Sequence, residues 1–191
     1  EELALGRVEG GGRRIEELIM QPAINIVGFQ AGGTAEQARN IIVPTADASL
    51  DLRLVKGQTI EHVKRTLEAH FRKQGFFVTD REPTLEERRS NPGVLQVRWD
   101  GGYPAYRSSL DGPEAQRVAT ILEAFEGQPP LLTPTMGGSL PIHLFDQALD
   151  MPIVLLPVAN HDNNQHGRDE NLRVGNLIDA VGVYAAVMAA Y

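Results

Sequence analysis

The side chains able to do chemistry gather in a few short stretches, and the densest is HDNNQHGRDEN, residues 161–171. It offers His161, Asp162, His166, Asp169 and Glu170, imidazoles and carboxylates of the kind that hold metal ions or move protons. The stretch follows an apolar run, MPIVLLPV (151–158), and so lies beyond the carboxyl end of a predicted parallel strand, where open α/β sheets place ligands. Taken alone, the spacing fits a water-exposed polar loop better than a ligand set, and no HExxH pattern accompanies it. A second stretch, TMGGSLP (135–141), puts Gly137, Gly138 and Ser139 at a predicted helix start, where unpaired N–H groups attract an anion such as a carboxylate. The plainer reading makes Ser139 the helix cap and the glycines its turn, and no Lys follows them in P-loop spacing. Arg53 is the one cation on the polar face of its strand, with Asp51 two residues before it. That pattern is either a surface ion pair, which it favours, or a two-pronged carboxylate clamp. Asn40, ahead of IIVP, reads as an Asx-turn residue.

These residues need elements to place them. RRIEELIMQP (13–22) predicts a short helix or turn ended by Pro22, and AINIVGFQAGG (23–33) alternates as a strand before its glycine pair. In ADASLDLRLV (46–55), Ala48, Leu50, Leu52 and Leu54 share one face and Asp47, Ser49, Asp51 and Arg53 the other, which predicts a strand with a core side and a wet side. GQTIEHVKRTLEAHFRKQG (57–75) predicts a helix capped by Thr59 and stopped by Gly75, with Ile60, Val63, Leu67 and Phe71 as its apolar stripe and His62 and His70 on its surface. FFVT and GVLQVRW predict two further strands, with DREPTLEERRSNP (80–92) as a loop between them. The order over 22–106 is that of a small antiparallel sheet backed by helices. From residue 107 the pattern becomes α/β: a helix in DGPEAQRVATILEAFEGQ with Pro113 in its first turn, a short strand at PLLTPT, a helix in GGSLPIHLFDQALD, the doubly buried strand MPIVLLPV, and a closing helix over 171–191 with small residues on its packing face. The expected organisation is therefore an α+β domain, residues 1–106, followed by an α/β segment, residues 107–191.

Composition removes whole classes of function. With 42% hydrophobic and 23% charged residues the chain is an ordinary globular sequence. A net charge of −7 repels phosphate backbones and anionic lipid, so neither nucleic acid nor a membrane is an expected partner. No apolar run reaches the ~18 residues of a membrane span, and the acidic opening does not read as a signal peptide, so a soluble, cytoplasmic protein is expected. Zero cysteines rule out disulfides and thiol nucleophiles, fit a reducing compartment, and leave only nitrogen and oxygen ligands for any metal.

Three stretches in this order, RNIIVPTADASLDLRLVKGQTIEHV, PTMGGSLPIHLF and PIVLLPVANHDNNQHGRDENLRVGNLIDAVGVY, resemble the C-terminal two-fifths of the co-catalytic zinc peptidases, the family of aminoacylases, carboxypeptidases and carnosine-type dipeptidases. The resemblance covers roughly residues 20–191. It implies a ferredoxin-like lid and dimerisation domain lacking one strand, followed by the closing βαβα part of the catalytic domain. It implies His166 as a zinc ligand through a neutral ring nitrogen, Glu170 as a loop-shaping partner rather than a ligand, and Gly137, Gly138, Ser139 and Arg53 as groups that hold a substrate carboxylate. Asn40 falls near the family's polar lid residue, one position out of register, and VKGQ and QHGRDE stand where the family has VPGQ and AHSPNE. His143 and His161 receive no role. The parent enzyme would carry two zinc ions and cleave the amide bond of a dipeptide or N-acyl amino acid, pairing as a homodimer through the lid. The other zinc ligands and the catalytic carboxylate are not matched in this chain, so no catalytic residue is assigned, metal should be absent or weakly held, and the chain alone should be inactive. The alternative is a non-catalytic dimerisation or ligand-binding module.

Overall fold

The structure is a computed structural model and describes residues 6–191, which divide into two compact units at Tyr106/Arg107. In the first unit a single helical turn, α1 (Ile15–Leu18), precedes two antiparallel strands, β1 (Ala23–Gln30) and β2 (Asp47–Arg53). Their ribbon is two-faced by virtue of one irregularity. Ile24 pairs with Leu52 and Ile26 with Leu50, but the register then slips between Ile26 and Gly28, so that Phe29 meets Ala48. Val27 is the extra residue of a β-bulge. Strict alternation would have turned Phe29 to the polar side; the bulge keeps Ile24, Ile26 and Phe29 with Ala48, Leu50 and Leu52, and leaves Asn25, Gln30, Asp47, Ser49, Asp51 and Arg53 on the other face. The side expected to be core is open: Ile24, Ile26 and Phe29 are 56%, 69% and 72% exposed.

The helix predicted after β2 is α2 (Ile60–Lys73), with Thr59 Oγ1 accepting the His62 N–H at 3.2 Å and Gly75 in a left-handed conformation just past its end. Its stripe of Ile60, Val63, Leu67 and Phe71 is half-buried, while His62 and His70 face water. β3 (Phe77–Thr79) lies against α2 and pairs with β4 (Val94–Gln96), and the pairing is parallel. The expectation of one small antiparallel sheet is therefore not met: the described residues form two separate two-stranded sheets. A parallel pair cannot be joined by a tight hairpin and needs a crossover of a dozen or so residues. Residues 80–93 supply it, and the stretch expected as a loop contains α3 (Leu85–Ser90). Thr84 Oγ1 accepts the Glu87 N–H at 3.2 Å and Glu87 accepts the Thr84 N–H at 2.7 Å, a capping box that the T-x-x-E spacing already carried. After β4, Trp99 Nε1 donates to Glu68 of α2 at 3.0 Å, which with Arg72 holds the Glu68 carboxyl below its usual range.

In the second unit α4 (Pro113–Glu126) starts with Pro113 in its first turn and ends at Gly127, φ +73°. α5 (His143–Leu149) and α6 (Val174–Ala190) follow. α4 packs on α6, where Gly182 of α6 gives Phe125 its room, since a Cβ there would lie 2.8 Å from the ring, and Val118 of α4 is the one buried hydrophobic side chain among the described residues. Arg117 of α4 donates to the carbonyls of Ala190 and Tyr191 at 2.9 and 2.8 Å, meeting orphan acceptors at the negative end of α6. The strands expected at 130–135 and 151–158 do not form among the described residues. The 151–158 segment is left without a strand beside it, and side chains serve its backbone instead: Ser108 bonds both N–H and C=O of Ile153, Tyr184 donates to Leu156 O at 3.1 Å and Asn176 to Val158 O at 3.1 Å. No helix among the described residues is long and apolar enough to cross a membrane.

Candidate functional site

In the first unit Arg53 closes β2, and strand alternation sets it beside Asp51 on the polar face. Its Nε lies 2.6 Å from Asp51 Oδ2, with the two side chains 43% and 38% exposed. An exposed pair of this kind contributes at most about 1 kcal/mol, so it can open for a better-placed carboxylate but competes with one. Asn40 sits in an exposed bend of the 31–46 connection, and its side chain makes no hydrogen bond among the described residues, so the Asx-turn expectation is not met. Nothing in the unit's bonding ties Asn40 to Arg53.

In the second unit the Gly137–Gly138–Ser139 turn is exposed, and it is not the start of a helix. α5 begins at His143 with Ile142 at its cap, so Ser139 is not the cap and the helix-start argument for anion binding does not apply. Pro141, without an N–H, intervenes before the first helical residue. Neither glycine has a positive φ, and a Cβ at either would meet nothing within 4 Å. The chain's own packing thus gives no reason for glycine there; a ligand or another backbone approaching closely would. His143, half-buried, is the first residue of α5.

The 160–173 loop is the most organised polar region. Asn160 is 5% exposed and lies at its base. Its Nδ2 donates to Asp162 Oδ1 at 2.8 Å and to Asn171 Oδ1 at 3.3 Å, and its Oδ1 accepts the Arg173 N–H at 3.0 Å. The Asn160 bond, with the Arg173 guanidinium, holds the Asp162 carboxyl below its usual range. One step further out, the Asn171 N–H and Nδ2 both reach Asn163 O, at 2.9 and 3.4 Å, and close a neck around residues 164–170. His166 sits within that ring at φ +64°, its N–H donating to Glu170 Oε2 at 3.2 Å and its imidazole making no hydrogen bond or ion pair among the described residues. Glu170 therefore fixes the loop's backbone. His161 is exposed.

A catalytic zinc needs about three protein ligands. Among the described residues no three His, Asp or Glu side chains come together closely enough to hold a metal ion. His166 is exposed and could serve as one donor, and the described residues by themselves do not make a metal site. Reading single residues favours a plain polar loop for His166, whose ligand role is implied by the resemblance alone. It missed Asn160, Asn163 and Asn171, whose only trace in the sequence is an unusual density of asparagines beyond the apolar run.

Residues 7–76 match the peptidase dimerisation domain family, M20_dimer. The chain is 27% identical over 154 residues to a cysteinylglycine-S-conjugate dipeptidase of Corynebacterium striatum, covering 80% of this chain and 30% of that protein. It is 25% identical over 181 residues to the Cys-Gly metallodipeptidase DUG1 of Saccharomyces cerevisiae, covering 92% and 35%. Among solved structures, an M20-family metallo-carboxypeptidase from Sulfolobus solfataricus superposes with a TM-score of 0.74 at 20% identity, over 100% of this chain and 40% of that one. Human carnosine dipeptidase 1 does so with 0.64 at 18%, over 91% and 35%. The chain thus spans about a third of the length of the curated relatives it matches.

Proposed function

With residues 7–76 forming a peptidase dimerisation domain and M20 metallopeptidases as the chain's homologues, we propose that the chain is the dimerisation domain and part of the catalytic domain of a zinc-dependent hydrolase. The substrate is a dipeptide or N-acyl amino acid with a free carboxylate. The observation that carries this reading is that the similarity to dipeptidases runs through both units rather than stopping with the domain match. Residues 1–106 form the lid, completed as a ferredoxin-like layer and pairing two subunits, and residues 107–191 form the catalytic segment. Zinc, when bound, polarises the amide carbonyl and activates water. This chain's own residues bind and orient. His166 supplies one ligand to a site whose other ligands lie outside the chain. Arg53 offers a planar fork to a carboxylate after parting from Asp51, and Asn40 a neutral amide. The Gly137–Gly138–Ser139 turn lets a carboxylate come close to the backbone and a hydroxyl.

Metal content and hydrolysis in the full-length enzyme test this reading. His166→Ala should lose at least one zinc per subunit and nearly all hydrolysis of Cys-Gly or β-Ala-His; full zinc content in that variant would remove His166 from the metal. One observation favours a second reading, a non-catalytic dimerisation module: the described residues hold no set of three metal-ligating side chains. A full-length protein that dimerises but carries no tightly bound metal would establish it.

A further inference from the structure

We infer that Asn160 is the positioning residue that presents His166, a role that rests on reading His166 as a metal ligand. Asn160 is the only buried polar side chain among the described residues, and each end of its amide is committed. The orientation follows from chemistry. A backbone N–H can only donate, so the atom facing Arg173 must be the Asn160 oxygen, and the NH₂ group must face Asp162 and Asn171. Three bonds from one side chain therefore tie together the beginning of the loop at Asp162 and its end at Asn171 and Arg173.

The loop needs such a tie. Asn164, His166 and Asp169 have φ of +54°, +64° and +60°, left-handed conformations that these residue types tolerate better than most but that still cost free energy, so bonds from outside help to hold all three. Those bonds are the Asn163–Asn171 neck and the Glu170 carboxylate on the His166 N–H. The neck in turn depends on Asn171, whose side-chain oxygen is held by Asn160. Asn160 lies buried at the base of the loop and acts through Asn171 and Arg173. Only an amide serves: Asp at 160 would set an acceptor against the Asp162 and Asn171 oxygens and bury a charge.

The test uses the full-length enzyme with cobalt(II) in place of zinc and three variants: Asn160→Asp, Asn171→Ser and His166→Ala. Hydrogen–deuterium exchange reports the loop, and the cobalt absorption spectrum at saturation reports ligand geometry, which a loss of folded protein alone would dim but not shift. Asn160→Asp should raise exchange over 163–173 at least tenfold while leaving protection of α4 intact. It should weaken cobalt binding by about 10–100-fold, the usual effect of removing a ligand's supporting partner, and shift the bands at saturation. Asn171→Ser should move both readouts the same way by less, and decides the matter if Asn160→Asp does not fold. Wild-type exchange and an unshifted spectrum in both asparagine variants, with His166→Ala still losing cobalt, would overturn the inference and leave the proposed function standing. Wild-type cobalt binding in His166→Ala would instead overturn the metal reading, and with it the role assigned to Asn160.

Discussion

Arg53 shows how a residue's neighbours set what it can do. Its Nε is held by Asp51, so in the proposed clamp role a ligand carboxylate would replace an intramolecular one. In the full-length enzyme, Asp51→Asn should therefore tighten binding of free-acid substrates or products, by up to about fivefold, the worth of an exposed ion pair. Arg53→Ala should weaken the same ligands by about 2–4 kcal/mol, with Arg53→Lys recovering only part because an ammonium lacks the planar fork. Product-inhibition constants for free and amidated ligands give the answer; equal losses for both would exclude the clamp. Asp51 two residues before Arg53 was plain in the sequence, because strand period alone puts i and i+2 on one face. The loop around His166 was not, since nothing local foretells that Asn160 and Asn171, eleven positions apart, will meet.

α3 is the element that the sequence announced and simple punctuation hid. Thr84 and Glu87 stand at capping-box spacing, yet the surrounding charges and prolines read as loop; the parallel pairing of β3 and β4, a long-range fact, demands a crossover there. Arg81 bonds the Glu87 carboxylate through both terminal nitrogens, and with the Thr84 N–H holds its pKa at about 2 rather than 4.5. A depressed carboxyl stabilises the fold above its unfolded value and ceases to as pH falls towards the folded one. Exchange protection of the α3 amides should accordingly hold at pH 6 and fade between pH 4.5 and 2. Glu87→Gln should abolish that dependence, and Thr84→Ala should cost about 1 kcal/mol of α3 stability. α6 allows a contrasting test. Gly182→Ala trades about 1 kcal/mol of helix propensity against the half-exposed Phe125 ring, which can swing aside, so the melting temperature should barely move; Gly182→Leu should lower it. α2, α4, α6 and the β1–β2 pair were readable because period and caps are local. The strands expected at 130–135 and 151–158 were not, because a strand exists only with a partner beside it.

Surface area sums up the chain's condition. It exposes 15352 Å², whereas two independent globules of 106 and 85 residues would together expose about 11,000 Å². Roughly 4,000 Å² is in excess, and it includes the apolar face of the β1–β2 ribbon and Leu177, Ile178, Val181 and Met188 of α6. The 191-residue chain on its own should bind a hydrophobic dye, unfold without a sharp transition, and show no turnover of dipeptides with zinc, manganese or cobalt. A cooperative melt with turnover that His166→Ala abolishes would contradict this account. The bulge at Val27 also governs how the chain can change length over evolutionary time. Losing that one codon would restore unbroken pairing and leave Ile24, Ile26 and Phe29 facing as before, whereas losing the codon for Phe29 would bring Gln30 opposite Ala48 and mix the faces. Single-residue gaps among descendants of this sequence should therefore collect at Val27 and spare the paired positions around it.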